Sequence, residues 1–451
     1  MQIQFIGAAG TVTGSKYLVR YDRYQILIDC GLFQGVSELK QRNWDALPFE
    51  ASQINAVLLT HAHIDHSGFL PALMKRGFRG SIYTSKLTHH LCKVLLPDAG
   101  FLQEEDARYA NKKKYSKHDP AEPLYTEDDA REVLKQFKNV REEETLELPG
   151  GLTAVFTPVG HILGACSIRL EYQGKSVTFS GDVGRCNDPI MYPPKALKAT
   201  DYLIVESTYG DRLHPEIDAE KTLADIINRT IKRGGIVLMP AFAVGRAQLI
   251  LYYLSRLIEK KQIPAVPIFL NSPMTIRATQ IFMDAHEQHK LNQDDCELMD
   301  EVTTYVKTTE ESMALTARKE PCLIISASGM ASGGRVLHHL KALVSNPRNC
   351  ILFMGFQAPG TRGFSLVNGA EKLRIHGEEK PVLAEVINLD SLSSHADFGE
   401  MLRWLKQMPG KPKKVFVTHG EEDAARSLQQ HLQVAFEWNV EVASYLQKVD
   451  I

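Results

Sequence analysis

Long apolar runs are missing from this chain. No segment reaches the roughly 18 consecutive apolar residues that a membrane-crossing helix needs. The start, Met-Gln-Ile-Gln-Phe-Ile-Gly, has no basic stretch followed by an apolar one, so no secretory leader is expected. Cysteine is sparse and scattered: seven residues (Cys30, Cys92, Cys166, Cys186, Cys296, Cys322, Cys350), with no Cys-x-x-Cys pair. That argues against a disulfide framework and a cysteine-based zinc site, and for a reducing compartment. Excess charge is also absent. With 52 basic and 54 acidic residues the formal charge is −2, so any nucleic-acid affinity must come from local charge in a groove. There is no low-complexity tract and no internal repeat. What remains is 451 residues, 44% of them apolar, enough for two ordinary domains with sizeable cores. A soluble cytoplasmic protein without a membrane partner is expected.

Short β-branched runs recur, and several lead straight into a titratable residue. Ile26-Leu27-Ile28 precedes Asp29, and Ser176–Phe179 precedes Ser180-Gly181-Asp182. Leu203-Ile204-Val205 precedes Glu206, and Lys414–Thr418 precedes His419. In α/β folds chemistry gathers at the carboxyl ends of strands, where loops converge. The first two hundred residues read as strand-rich, with hairpins pairing Lys16–Tyr21 with Gln25–Asp29 and Ser167–Tyr172 with Lys175–Phe179. From about Tyr209 the pattern turns to helix–strand alternation. Helices are expected at Ala219–Arg233 and Arg246–Lys260. Strands are expected at Ile236–Met239, Ile268–Leu270, Cys322–Ile325 and Ile351–Met354. After about Glu371 the earlier style returns, with a helix at Phe398–Gln407. The pattern predicts one split domain (1–208 and 371–451) carrying an inserted one (209–370). Residues Leu95–Ala130 stand apart: helical in tendency and charged, with Lys112-Lys113-Lys114 and Lys117-His118. A solvated helical excursion explains them, and a nucleic-acid contact is the alternative.

The block His61-Ala62-His63-Ile64-Asp65-His66 follows the strand-like Ala56–Thr60. Its spacing cannot place four ligands on one helix face, but on a loop they can fan out toward two ions. Imidazole with carboxylate suits zinc, with manganese or iron as alternatives. A dinuclear site needs three or four ligands per ion, a bridging carboxylate, and ions about 3.5–4 Å apart sharing an activated water. His161, Asp182 and His419 complete a set of seven with His61, His63, Asp65 and His66.

These residues resemble the motifs of the metallo-β-lactamase superfamily. Asp29 is similar to its first motif, an acid that orients a ligand histidine; His61–His66 resembles the second, His161 the third and Asp182 the fourth. The resemblance implies that His61, His63 and His161 hold one ion, that Asp65 and His66 hold the other, and that Asp182 bridges. In the second half, Glu206 in Val-Glu-Ser-Thr-Tyr-Gly resembles motif A of the β-CASP nucleases. Leu392–Asp397 resembles motif B, and Val417–Glu421 resembles motif C. The implied fold is α/β: a metallo-β-lactamase αββα sandwich with an inserted β-CASP α/β domain. Members acting on RNA carry His at motif C, so His419 implies RNA and completes the second ion's ligands. The pattern is similar to the short bacterial relatives of the eukaryotic pre-mRNA 3′-end-processing endonuclease, and a homodimer is expected by family analogy alone.

The resemblance implies hydrolysis of single-stranded RNA by a hydroxide bridging two zinc ions, leaving a 5′-phosphate and a 3′-hydroxyl. His395 is the candidate acid for the departing oxygen, with Glu206 fixing its tautomer; a further metal ligand or a structural residue is its alternative role. Two glycine-rich loops in the insert are candidates for phosphate binding through backbone N–H groups. Ser326, Ser328, Gly329 and Arg335 belong to the first loop, and Gln357, Thr361 and Arg362 to the second. Ser394 of motif B is added to them. Rival readings are a small-molecule ester or lactone hydrolase and a catalytically silent RNA-binding scaffold.

Overall fold

The computed structural model describes residues 1–114 and 119–451; Lys117 and His118, singled out above, lie outside them. Two compact units emerge, Met1–Leu213 with His395–Ile451, and His214–Ser394.

The first unit is a sandwich of two seven-stranded sheets. One runs in the order Lys448–Asp450, Gln2–Phe5, Tyr17–Tyr21, Tyr24–Ile28, Ala56–Leu58, Ser81–Ser85, Phe137–Val140. The other runs Val440–Val442, Lys414–Thr418, Tyr202–Glu206, Lys175–Phe179, Cys166–Tyr172, Thr153–Pro158, Thr145–Glu147. Alternation along each strand decides which side chains enter the shared core. Ile26, Ile28 and Leu58 face it from one sheet, and Phe156, Ile168, Val177, Phe179 and Phe416 from the other. Their neighbours Leu27, Val57 and Ile82 are equally buried. Strands buried on both parities need cover on both faces, and helices supply it.

The long helix Lys86–Lys113 starts at Ser85, whose side chain accepts the Thr88 N–H, and it contains Pro97. It begins nine residues before the excursion read from sequence. Its first half is anchored by buried Leu91, Leu95, Leu96 and Pro97, and Tyr125 beyond its end is fully buried. Phe101, Leu102 and Tyr109 remain exposed.

The second unit carries a six-stranded sheet in which every pairing is parallel, ordered Thr303–Tyr305, Ile268–Leu270, Leu323–Ser326, Val237–Pro240, Cys350–Phe353, Glu385–Asn388. The second boundary differs from the one expected near residue 371. Residues 371–394 pack with this unit, because Glu385–Asn388 extends its sheet beside Cys350–Phe353. That edge strand is half-buried throughout and lacks an apolar alternation to announce it.

Candidate metal centre and active site

Every ligand candidate lies in the first unit, at strand ends or the loops that leave them. Ala56–Leu58 delivers the chain to His61, and a single helical turn, Ile64–Ser67, carries Asp65 and His66. Lys175–Phe179 ends just before Asp182, Tyr202–Glu206 ends on Glu206, and Lys414–Thr418 ends just before His419. The loop holding His161 is pinned from outside. The Ser85 and Thr88 hydroxyls both donate to the Gly164 carbonyl, at 2.7 and 2.9 Å. Gly164 has φ +78°, and a Cβ there would meet the Thr88 nitrogen at 2.6 Å, so only glycine fits without displacement.

His61 Nε2 and His161 Nε2 each stand 3.2 Å from His63 Nδ1. Asp182 Oδ2 lies 3.5 Å from His61 Nε2 and 3.6 Å from His161 Nε2. Ligands at zinc–nitrogen and zinc–oxygen distances of about 2.0–2.1 Å stand about 3.3–3.4 Å apart along a tetrahedron's edges. The four donors fit that spacing. The other oxygen of the same carboxylate faces a second cluster. Asp182 Oδ1 is 3.2 Å from His66 Nε2 and 3.5 Å from His419 Nε2. His66 Nε2 and His419 Nε2 are 3.0 Å apart, and Asp65 Oδ2 lies 3.5 Å from His419 Nε2 and 3.9 Å from His66 Nε2. Two four-donor cages therefore share one carboxylate, which suits a pair of first-row cations.

The electrostatics of His61, His161 and Asp182 agree with that use. Burial pushes His61 and His161 well below the ordinary histidine value, which keeps ring lone pairs available. Burial also opposes charge on Asp182, but His419, His66 and His61 outweigh it and hold this carboxyl well below its usual range. His66 moves the other way: burial is overcome by Asp182 and Asp29, which hold it well above its usual value.

Asp29, with φ +58°, sits behind the ligands. Its Oδ1 accepts the Thr60 N–H at 2.8 Å, and its Oδ2 lies 2.8 Å from His66 Nδ1. A carboxylate can only accept, so His66 Nδ1 carries a proton in either charge state, and once a cation displaces the Nε2 proton it is the Nε2 lone pair that would face the cage. Gly31 lets this strand end approach: a Cβ there would stand 1.5 Å from the Asp65 carbonyl oxygen.

Beside the cages, Glu206 Oε1 lies 3.1 Å from His395 Nδ1 and accepts the Val183 N–H at 2.8 Å. Its Oε2 accepts the Thr208 N–H at 3.0 Å. Burial opposes a charged His395, yet Glu206 with Asp182 and Asp65 raises its pKa above the ordinary value. The His395 ring centroid is 4.4 Å from that of His161.

The phosphate candidates are distributed differently from expectation. Arg335 donates to Asn271 Oδ1 at 2.9 Å and to the Val306 and Lys307 carbonyls, at 3.2 and 3.1 Å. Arg362 donates to the Arg374 and Ser332 carbonyls, at 3.0 and 3.4 Å. These guanidinium groups brace loops. Gln357 donates to the Gly329 carbonyl at 3.2 Å and so ties the two glycine-rich loops together. The Ser326 hydroxyl donates to the Asn271 carbonyl, and Ser328 Oγ accepts the Ser332 N–H. Thr361 caps the helix Arg362–Val367, and Ser394 is half-buried at the end of the second unit. Sequence reasoning passed over Thr60 and Thr208, whose only signals are adjacency to His61 and a position two residues past Glu206.

The chain matches three family descriptions: the metallo-β-lactamase superfamily over 9–222, the Beta-Casp domain over 247–366, and the Zn-dependent metallo-hydrolase RNA specificity domain over 379–443. It is 35% identical over 436 residues to "Ribonuclease TTHA0252" of Thermus thermophilus, covering 95% of each chain. It is 29% identical to "RNase J-like protein" of Methanocaldococcus jannaschii, covering 93% of this chain and 92% of that one. To "Transcription termination factor FttA" of Methanosarcina mazei it is 31% identical, covering 95% of this chain and 68% of that one. A solved structure of a protein of unknown function from Enterococcus faecalis V583 shares the fold, with TM-score 0.52, 14% identity and 99% of both chains covered. With its paired cages, its inserted parallel sheet and these relatives, the chain belongs to the β-CASP ribonuclease family of the metallo-β-lactamase superfamily.

Proposed function

We propose that this protein is a metal-dependent endoribonuclease that hydrolyses phosphodiester bonds in single-stranded RNA, leaving a 5′-phosphate and a 3′-hydroxyl. The observation that carries the reading is the division of Asp182. Oδ2 faces His61 and His161 while Oδ1 faces His66 and His419, as a carboxylate shared by two cations must. Bound there, two zinc ions would lower the pKa of a shared water and neutralise the non-bridging phosphate oxygens. Manganese or iron would suit the same donors.

The chain's own residues supply the remaining chemistry. His61, His63, His161, Asp65, His66, His419 and Asp182 hold and space the ions. Glu206 fixes the His395 ring through Nδ1, so Nε2 is the nitrogen that would carry a proton to the departing 3′-oxygen. The departing 3′-oxygen of a phosphodiester is a poor leaving group and needs the proton that this pair can supply, which favours a phosphodiester. The match of residues 379–443 to an RNA specificity domain, together with the ribonuclease relatives, supports RNA as substrate. The glycine-rich loops of the second unit would meet phosphates through backbone N–H groups, with Arg335 and Arg362 holding them in shape. All seven cysteines are free and six are buried, which supports a reducing, cytoplasmic setting.

The test uses circular and linear single-stranded RNA with the purified protein, with and without chelator. Cutting of the circle, lost on chelation and restored by zinc or manganese, is expected. A circle left intact while the linear strand is shortened would overturn the endonuclease assignment. Lactone hydrolysis without any RNA cleavage would overturn the whole reading.

A further inference from the structure

Each cage contains a histidine whose outward nitrogen meets a threonine hydroxyl, and both threonines are buried. In the first cage Thr60 Oγ1 lies 3.1 Å from His61 Nδ1 and 2.9 Å from Asp29 Oδ2. The carboxylate takes the hydroxyl proton, so the hydroxyl oxygen must accept from His61 Nδ1–H, which leaves the Nε2 lone pair facing the cage. Asp29 thus serves one ligand directly, His66, and a second through Thr60. In the second cage Thr208 Oγ1 lies 3.3 Å from His419 Nδ1 and 3.4 Å from the His419 carbonyl. The hydroxyl donates to the carbonyl and accepts from Nδ1–H, and again the Nε2 lone pair faces Asp182, Asp65 and His66. The Thr208 backbone N–H separately holds Glu206, so its side chain and main chain serve different parts of the site.

We propose that Thr60 and Thr208 are paired positioning residues, one per cage, whose hydroxyls fix the tautomers of His61 and His419 and so set the affinity of each cage for its cation. The assignment rests on the dinuclear reading above. Losing the partner of a metal-ligating histidine typically weakens binding by about 10–100-fold. Valine keeps the threonine shape but neither donates nor accepts, whereas serine keeps the hydroxyl.

The experiment titrates metal-free wild type, Thr60→Val, Thr208→Val, the double valine variant and both serine variants with zinc against a chromophoric chelator. Circular dichroism verifies the fold of each. Wild type should hold two equivalents. Each single valine variant should keep one equivalent at wild-type affinity and weaken the other by about 10–100-fold. The double variant should weaken both, and serine should restore each. Wild-type affinities in the valine variants, weakening of the same equivalent by both, or no rescue by serine would overturn the assignment while leaving two zinc sites in place. A wild type that holds fewer than two equivalents would overturn the dinuclear reading, and the assignment with it.

Discussion

Lys16 offers a measurable handle on the scaffold behind the metal loop. Its ammonium is buried between the Phe33 and Phe69 rings, 4.6 and 4.8 Å from their centroids, and donates to the Gly31 carbonyl. Gly31 in turn donates its N–H to Ser15, and Ser15 donates to the Asp65 carbonyl. Burial pushes the Lys16 pKa from 10.5 down to about 8. The difference, 10.5 − 8 = 2.5 pH units, corresponds to about 3 kcal/mol at 1.36 kcal/mol per unit. Between those two values the unfolded chain binds more protons than the folded one, so stability rises with pH across the window. Below about pH 8 the full cost of the buried charge is present, and above about 10.5 it is gone. Lys16→Met removes the titration, and the donors lost by the carbonyls add an offset independent of pH. Wild type should therefore gain about 3 kcal/mol relative to the variant between pH 7 and 10.5. Urea unfolding followed by tryptophan fluorescence suits the assay, because all three tryptophans, Trp44, Trp404 and Trp438, belong to the first unit. A stability difference that stays flat over this range would refute the account.

Two further outcomes follow from the site itself. His395→Ala should slow RNA cleavage by about 10²–10⁴-fold while both zinc equivalents stay bound; loss of zinc in that variant would make His395 a ligand instead of a proton donor. Gly31→Ala must displace the Asp65 carbonyl, since its Cβ would sit 1.5 Å away. The expected result is weakened binding of one zinc equivalent with the other retained, measured by chelator competition, and an unchanged pair would contradict the packing argument.

Local pattern made much of the fold readable. Helices expected at Ala219–Arg233 and Arg246–Lys260 are found at Ala219–Lys232 and Arg246–Glu259, because apolar periodicity and clear start signals agree there. The parallel strands in the insert fall within a residue of their expected places, since buried runs such as Ile268–Leu270 have no other use. Two strands of that six-stranded sheet escaped notice. Glu385–Asn388 is half-buried and polar at its ends, and Thr303–Tyr305 is three residues at a sheet edge; neither carries an alternation. That the seven His and Asp candidates gather was legible because their side-chain chemistry is unusual at that density. Thr60 and Thr208 were not, because a hydroxyl that accepts from a histidine is defined by direction, which spacing cannot convey. For Arg335 and Arg362 a charge beside glycines suggests an anion, while the carbonyl partners they hold far along the chain are invisible in one dimension.

The order in which the cages can be completed has a consequence for biosynthesis. His66 and His419 meet at 3.0 Å across 353 residues of sequence. The strand bearing His419 lies parallel to Tyr202–Glu206, so the inserted domain must be made before the last imidazole reaches its place. At ribosomal rates of about 5–20 residues per second that delay is about 20–70 s. A nascent polypeptide that already holds His61 through Asp182 has every donor of its first cage, while its second cage waits for the imidazole of His419.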